Sequence, residues 1–504
     1  ICDPAVGSGA FPIGMMHEII KLRQLLSIYT GTPIKTYDLK RHTIENSLYG
    51  VDIDPGAVET CKLRFYLSLI VDEDDFYNIK PLPNFDYKVV CGNSLLGVEK
   101  DLFNHQAFAK LEELKPKHFN ETNPTKKQEY KKQIDELICQ ITNGNTEFDF
   151  EVYFSEVFHQ KGGFDIVIGN PPYAVYGINK ELKNNYYSNF KAINYKYKGI
   201  KNQFNLATLF IEKSYSILKN DGIFTMIVPH SISRANGYYY IRDYLDKHAD
   251  VFHIVDEHSQ FEGVTLEMIT IFYKKRSQQT NFIKCFSKRN QHLYYMPKKI
   301  CHEEKYYILY FDELYVKIKD KGESILNGHR GYKVNSVDYN KDSKILYLDG
   351  KNIQKYYIAP LMHQRYINRK CYKLGLNRLE IVITQFGTLP RGTIIDTDKM
   401  LPSDGVVIVT FERNFFDIKY ILSILNSSVV KYYFYKYIIN CAELTIHLDG
   451  YYLSKIPIPV ISKEDQQPFI DLVDKILAIT KDDDYLENPE KQSKVKELEK
   501  QIDQ

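Results

Sequence analysis

The stretch Asp3-Pro-Ala-Val-Gly-Ser-Gly-Ala-Phe11 sets two glycines between a short apolar strand and a helix-periodic run from Phe11 to Leu26. Gly7 and Gly9 lack a Cβ, so backbone there can take positive φ and approach a ligand closely. A strand, a glycine turn and a helix in that order start a βαβ unit, and the following residues continue the alternation. Leu48 to Asp54 reads as a strand ending in acids, Pro55 opens a helix at its first turn, and Tyr87 to Cys91 is a third strand. The same rhythm returns later with strands at Phe164–Ile168, Gly222–Val228 and Leu266–Tyr273 and a helix at Leu206–Leu218. A parallel sheet covered by helices is therefore predicted for residues 1–275.

Two stretches depart from that rhythm. Residues 100–160 hold a Lys/Glu-rich run from Leu111 to Gln140, broken at Asn120-Glu-Thr-Asn-Pro124. It predicts a helical hairpin inserted between strands, read as a solvated surface excursion. From 276 the pattern turns β-rich and irregular, with strands at Glu380–Phe386 and Gly405–Phe411 and one amphipathic helix at Ile418–Tyr437. Ile456-Pro-Ile-Pro459 is an extended docking segment, and Ser462 with Asp465 caps a last helix. The expected division is 1–275, 276–461 and a C-terminal helical segment at 462–504. A chain of 504 residues is too long for one ordinary domain and suggests two to four.

Charge and cysteines narrow the setting. A net charge of +2 excludes a uniformly basic chain but leaves local basic patches open. Eight cysteines without metal-ligand or redox spacing read as free thiols of a reducing, cytoplasmic compartment. No apolar run approaches the ~18 residues of a membrane span. No metal is expected.

The strand ends carry the chemistry. Asp3 before the glycines would repel a phosphate and suits a cationic amino acid or sulfonium group instead. Asp52 ends the second strand, where doubly wound folds place an acid on ribose hydroxyls, and Ile53 offers an adenine ring an apolar surface. Asp54, just before Pro55, reads better as a helix cap. Asn93, after the third strand, is placed to read the adenine edge.

Gly169-Asn-Pro-Pro-Tyr173 follows the next strand directly. Asn170 supplies a side-chain oxygen and Pro171 a carbonyl, held stiffly by the fixed φ of Pro171 and Pro172. Two acceptors so placed can hold both hydrogens of an exocyclic amine and turn its lone pair towards a methyl donor. Tyr173 offers a stacking face for an extruded base. Between Lys183 and Lys201 come five lysines and four tyrosines without an acid, a loop suited to a phosphate backbone. Lys191, Lys196, Lys198 and Lys201 are its candidate contacts.

Asp3-Pro-Ala-x-Gly-x-Gly-Ala-Phe11 together with Asn170-Pro-Pro-Tyr173 resembles the motif pair of gamma-class DNA adenine-N6 methyltransferases. Tyr153-Phe-Ser-Glu-Val-Phe158 leading into Gly163–Tyr173 resembles the fused methyltransferase–specificity chains of type IIG restriction–modification enzymes. Tyr347–Ile353, Leu425–Ser428 and Ile456–Pro459 resemble landmarks of a TaqI-like specificity domain. The resemblance implies a Rossmann-like methyltransferase domain that binds S-adenosylmethionine through Asp3, Ala5, Gly7, Gly9, Phe11, Asp52, Ile53 and Asn93. It implies transfer to adenine N6 of a flipped base in double-stranded DNA, with Phe261 as the second face of the base pocket. It also implies an α+β, β-rich target-recognition domain, and a nuclease domain before the start of this chain. Many relatives have Asp where Asn93 stands. Among loop residues at 330–450, Gln385, Arg391, Lys399 and Arg413 are candidate base readers. The competing readings are a non-catalytic DNA-recognition subunit and a methyltransferase acting on RNA or on protein glutamine.

Overall fold

A computed structural model describes all of the chain except residues 32–34, 72–81, 98–104, 145–146, 174, 178–202, 259–265, 277–278, 334–344, 360–364, 368–377, 388 and 445. Two compact units emerge. One comprises Ile1–Leu293 and Pro297–Tyr307, the other Tyr294–Met296 and Ile308–Gln504. The first therefore runs past residue 275, where the sequence pattern placed its edge.

The first unit is wound on one large sheet. Its strands are β1 (Cys2–Asp3), β2 (Tyr49–Asp52), β3 (Val89–Cys91), β4 (Phe164–Gly169), β7 (Leu218–Pro229), β8 (Asp250–His258), β9 (Met268–Lys274), β10 (Phe282–Ser287) and β11 (His292–Pro297, of which Tyr294–Met296 count with the second unit), with β5 (Val175–Gly177) and β6 (Gln203–Asn205) forming a separate two-stranded ribbon. The sheet order is β11-β10-β8-β9-β7-β4-β1-β2-β3. β3, β2, β1, β4 and β7 run parallel, and β9 inserts antiparallel between β7 and β8. Chain order reverses between β1 and β4. That is the switch point of a doubly wound, Rossmann-like sheet.

Local chemistry sets the helices. Gly9 has φ 83° and starts α1 (Ala10–Thr30), and Gly31 with φ 68° ends it, both in the left-handed region that favours glycine. Thr36–Ser47 forms α2. Asp54 caps α3 (Pro55–Ile70) by accepting from the Gly56 N–H at 2.9 Å. The capping reading of Asp54 thus agrees with the structure. Met16, Ile20, Ile44, Val58, Phe65 and Leu69 close a core beneath these helices.

The insertion is a helical hairpin, α4 (His105–Asn120) and α5 (Pro124–Ile141), with Asn123 capping the second helix. It is more than a solvated excursion. Phe108, Leu111, Ile134, Ile138 and Val152 are buried together with Tyr87, so the hairpin has its own apolar core on the main sheet's margin.

In the second unit, Asn327–Arg330, Val406–Thr410, Leu379–Thr384 and Gly392–Asp396 make an antiparallel sheet in that order. Leu348, Ile353, Val382, Ile395, Val406 and Ile408 fill its core. The helix expected at 418–437 is divided into Ile418–Asn426, Ser428–Tyr433 and a wider turn at Phe434–Ile438, because Ser427 is extended and caps the second piece. Ser462 caps Lys463–Thr480, and Pro489–Asp503 is the last helix. Ile456 and Ile458 are fully buried, as a docking segment requires. Among the described residues no helix is long and apolar enough to cross a membrane.

Candidate functional site

Four adjacent strands, β4-β1-β2-β3, end on the same edge, and their carboxyl ends carry Asn170, Asp3, Asp52 and Asn93. The register fixes this: Cys2 pairs with both Tyr49 and Val167, and Asp52 with Cys91. Side chains far apart in sequence are thus set beside one another at the switch point, where doubly wound sheets bind ligands.

At the glycine turn, Asp52 accepts the N–H of Gly7 at 2.8 Å and that of Asp54 at 3.0 Å. Gly7 has φ +51°, and a Cβ there would meet nothing within 4 Å, so its outer side is open to an incoming group. Gly9 differs. A Cβ on it would lie 2.5 Å from the Cys61 Sγ, so its bareness lets the start of α1 pack on α3. Ile53 is 69% exposed, an apolar side chain left uncovered next to Asp52. The Asn93 side-chain oxygen accepts from the Leu95 N–H at 3.0 Å and keeps a second lone pair. Phe11 is half-buried in the first turn of α1.

Asp3 is 1% exposed and accepts the Ala5 N–H at 3.0 Å. Burial pushes its carboxyl up to about 7; the Ala5 N–H opposes that rise and the Asp52 charge adds to it.

At the end of β4, Asn170 is exposed, Pro171 buried, Pro172 exposed and Tyr173 half-buried. The Tyr173 hydroxyl donates to the Asn170 Oδ1 and to the Ile227 carbonyl, the latter at 3.2 Å. Burial pushes the Tyr173 phenol above its ordinary range. Any donor approaching Asn170 must use the second lone pair of Oδ1 or displace this hydroxyl.

Several supports were not legible as site residues. Asn205 caps the helix Leu206–Ile217 and donates to the Tyr173 carbonyl at 3.1 Å. Its capping role shows in sequence; its hold on Tyr173 does not. Ser94 donates to the Pro4 carbonyl at 2.6 Å, and Arg64 to the Ser8 carbonyl at 3.0 Å, tying the glycine turn to β3 and α3.

Phe261, Lys191, Lys196, Lys198 and Lys201 lie outside the described residues. The ribbon β5–β6, which brackets the lysine-rich loop, starts directly beyond the Tyr173 region. Of the candidate base readers, Gln385 is 2% exposed, and its amide, turned to suit its neighbours, pairs with Arg330 and the Asp404 carbonyl. It is thereby unsuited to entering a groove. Arg413 is engaged by the Leu379 carbonyl at 2.7 Å and by Glu380. Arg391 is exposed, and Lys399 is exposed beside Asp396. A cavity of about 350 Å³ lies at the opposite, amino ends of the strands, lined by Ile1, Tyr49, Lys88 and Phe164, and none of Asp3, Asp52, Asn93 or Asn170 lines it.

The likeness to known proteins follows this division. Residues 46–261 match the Eco57I restriction-modification methylase family, and residues 345–458 match the TaqI-like C-terminal specificity domain. The chain is thus similar to an Eco57I-type methylase over the first stretch and to a TaqI-like specificity domain over the second. Over 290 residues it is 24% identical to the type II restriction enzyme and methyltransferase RM.Eco57I of Escherichia coli, covering 55% of this chain and 24% of that protein. Over 101 residues it is 44% identical to the putative type II restriction enzyme and methyltransferase RM.MjaORFECS2P of Methanocaldococcus jannaschii, covering 19% of this chain and 8% of that protein. The chain therefore spans at most a quarter of the length of these two relatives.

Two solved structures share the fold. The type IIL restriction-modification enzyme MmeI in complex with DNA superposes with a TM-score of 0.57 at 10% identity, covering 100% of this chain and 69% of that one. The ATP-dependent type ISP enzyme LlaBIII bound to DNA gives 0.53 at 10% identity, covering 95% and 37%. The methylase match contains Asp52, Asn93 and Asn170–Tyr173, and the specificity match contains three of the four strands of the second unit's antiparallel sheet, Leu379–Thr384, Gly392–Asp396 and Val406–Thr410.

Proposed function

We propose that the chain transfers the methyl group of S-adenosylmethionine to adenine N6 of a flipped base at a specific site in double-stranded DNA. One observation carries this reading: Asn170-Pro-Pro-Tyr173 ends the strand next to the glycine turn, with Asp52 and Asn93 on the two strands beyond. The TaqI-like match favours DNA over RNA or protein as substrate.

The residues present fit the cofactor. Gly7 leaves open space, Asp52 presents a carboxylate at the ribose position, and Ile53 leaves an apolar face uncovered. The cofactor would supply an electrophilic methyl on a sulfonium. Asn170 Oδ1 and the Pro171 carbonyl accept the two hydrogens of the target amine and orient its lone pair. The Tyr173 ring stacks on the base. With the methyl supplied from that sulfonium, the amine held by Asn170 and Pro171 would give up its surplus proton to solvent. Catalysis on this scheme comes mainly from orientation. Lys191, Lys196, Lys198 and Lys201 would follow the phosphate backbone, and Phe261 would close the base pocket.

Radioactive methyl transfer from S-adenosylmethionine to unmethylated genomic DNA tests the proposal. Incorporation into DNA, and none into RNA or protein added in its place, is expected. Asp52→Ala should weaken cofactor binding by about 1.5–3 kcal/mol, the scale of a hydrogen bond to a charged group. Unchanged calorimetric affinity would move the ribose site elsewhere. Exchanging residues 336–461 for those of a relative should change the sequence modified and leave the modified base the same. A changed base would place chemistry in the specificity domain.

A further inference from the structure

Asp3 and Gly169 meet where the two halves of the proposed site join. Asp3 ends β1, and Gly169 ends the neighbouring strand β4 directly before Asn170. A Cβ built on Gly169 would lie 2.6 Å from the Asp3 Oδ1, so only glycine leaves room for this carboxyl. On its other side Asp3 accepts from the Ala5 N–H at 3.0 Å, in the turn whose Gly7 N–H is held by Asp52. One almost fully buried carboxyl therefore touches both the cofactor turn and the backbone that presents Asn170.

We propose that Asp3 is a positioning residue that carries cofactor occupancy to Asn170 through its contact with Gly169. The inference rests on the cofactor site proposed above. Burial leaves the carboxyl near half-protonated around neutral pH, since its pKa stands at about 7. A cationic ligand nearby favours the carboxylate, so binding releases a proton from Asp3 to solvent. Once charged, the group draws harder on the Ala5 N–H and shifts its packing on Gly169. The titratable groups facing it are Cys2 on its own strand, Asp52 on β2 and Cys61 on α3. Burial pushes both thiols up, Cys61 to about 12, so neither titrates in the same range. On the β4 side its neighbour is Gly169, which does not ionise.

The test is calorimetric titration of S-adenosylmethionine into the full chain across pH, in buffers of different ionisation heat. Affinity should rise by up to about tenfold per pH unit below 7 and then level off, with one proton released per cofactor on the acidic side. Asp3→Asn should lose that dependence and the proton. Gly169→Ala should cut methyl transfer to unmethylated DNA at saturating cofactor at least about tenfold. The pair Asp3→Ser with Gly169→Ala should recover part of that loss, because the smaller side chain makes room. A dependence that survives in Asp3→Asn, or full turnover in Gly169→Ala, overturns the proposal. The pH profile remains decisive should Gly169→Ala fold poorly. Absence of cofactor binding at every pH would instead remove the methyltransferase reading itself, which is a distinguishable result.

Discussion

Asn170→Ala should lower methyl-transfer turnover by about 10²-fold or more while leaving S-adenosylmethionine affinity near its original value. Deleting one preorganised polar partner of a transition state costs about that much. Affinity is spared because Asn170 ends β4, while Asp52, Ile53 and Asn93 lie beyond β1 on strands two and three places away. Tyr173→Ala should behave differently, losing a stacking face worth about 1–3 kcal/mol and with it productive engagement of the base. Tyr173→Phe should keep most activity. It retains the ring and removes the hydroxyl that donates to the Asn170 Oδ1, freeing that acceptor for the amine. Single-turnover rates beside equilibrium cofactor binding separate these outcomes. Full turnover in Asn170→Ala contradicts the mechanism.

The largest stability effect is expected at Asp250, which is remote from the motifs. Its carboxylate is completely buried and pairs with Arg276, with Lys298, and with the Thr280 N–H at 3.0 Å and hydroxyl at 2.9 Å. Burial pushes its pKa up, but Lys298, the Thr280 groups and Arg276 outweigh that and hold it at about 2. The cluster joins the start of β8 to the end of β9 and to the helix at Lys298–Glu304. Asp250→Ala leaves cations without their counter-charge and should cost about 3–5 kcal/mol, read from denaturant unfolding of the full chain. Replacing Asp250, Arg276 and Lys298 together by apolar residues of similar volume should cost less than the single change. Because the folded pKa lies below the ordinary carboxylate value, Asp250's contribution is complete above about pH 4 and is lost as pH falls towards 2. An Asp250→Ala protein as stable as the parent would show that the cluster contributes no net stability.

The parts legible in sequence are those governed by local rules. Gly9 had to open a helix after the first strand, and Asp54 with Pro55 had to start another, whereas the end of the first helix at Gly31, past Leu26, was not read. The strand ends that carry Asp3, Asp52, Asn93 and Asn170 could be placed by motif order alone. What sequence hid depends on long-range packing. The hairpin α4–α5 read as solvated because its Lys and Glu outnumber Phe108, Leu111, Ile134 and Ile138, yet those few residues form a core with Tyr87. β8 went unseen because His253, Asp256 and Glu257 interrupt its apolar positions. β10 and β11 read as the start of a separate β-rich domain, although both extend the main sheet. Gln385 looked available as a loop polar group and is buried against Arg330. The closeness of Asp3 to Gly169, 166 positions away along the chain, follows only from the pairing of β1 with β4.

The chemical identity of the product decides whether adenine N6 is the methyl acceptor. DNA from a methylation-free host, modified by this chain with S-adenosylmethionine, can be digested to nucleosides and analysed by mass spectrometry. N6-methyladenine is expected, present with the parent chain and reduced by about 10²-fold with Asn170→Ala. N4-methylcytosine in its place would contradict the adenine assignment while sparing the amine chemistry, and DNA left without any methylated base would contradict the methyltransferase account as a whole.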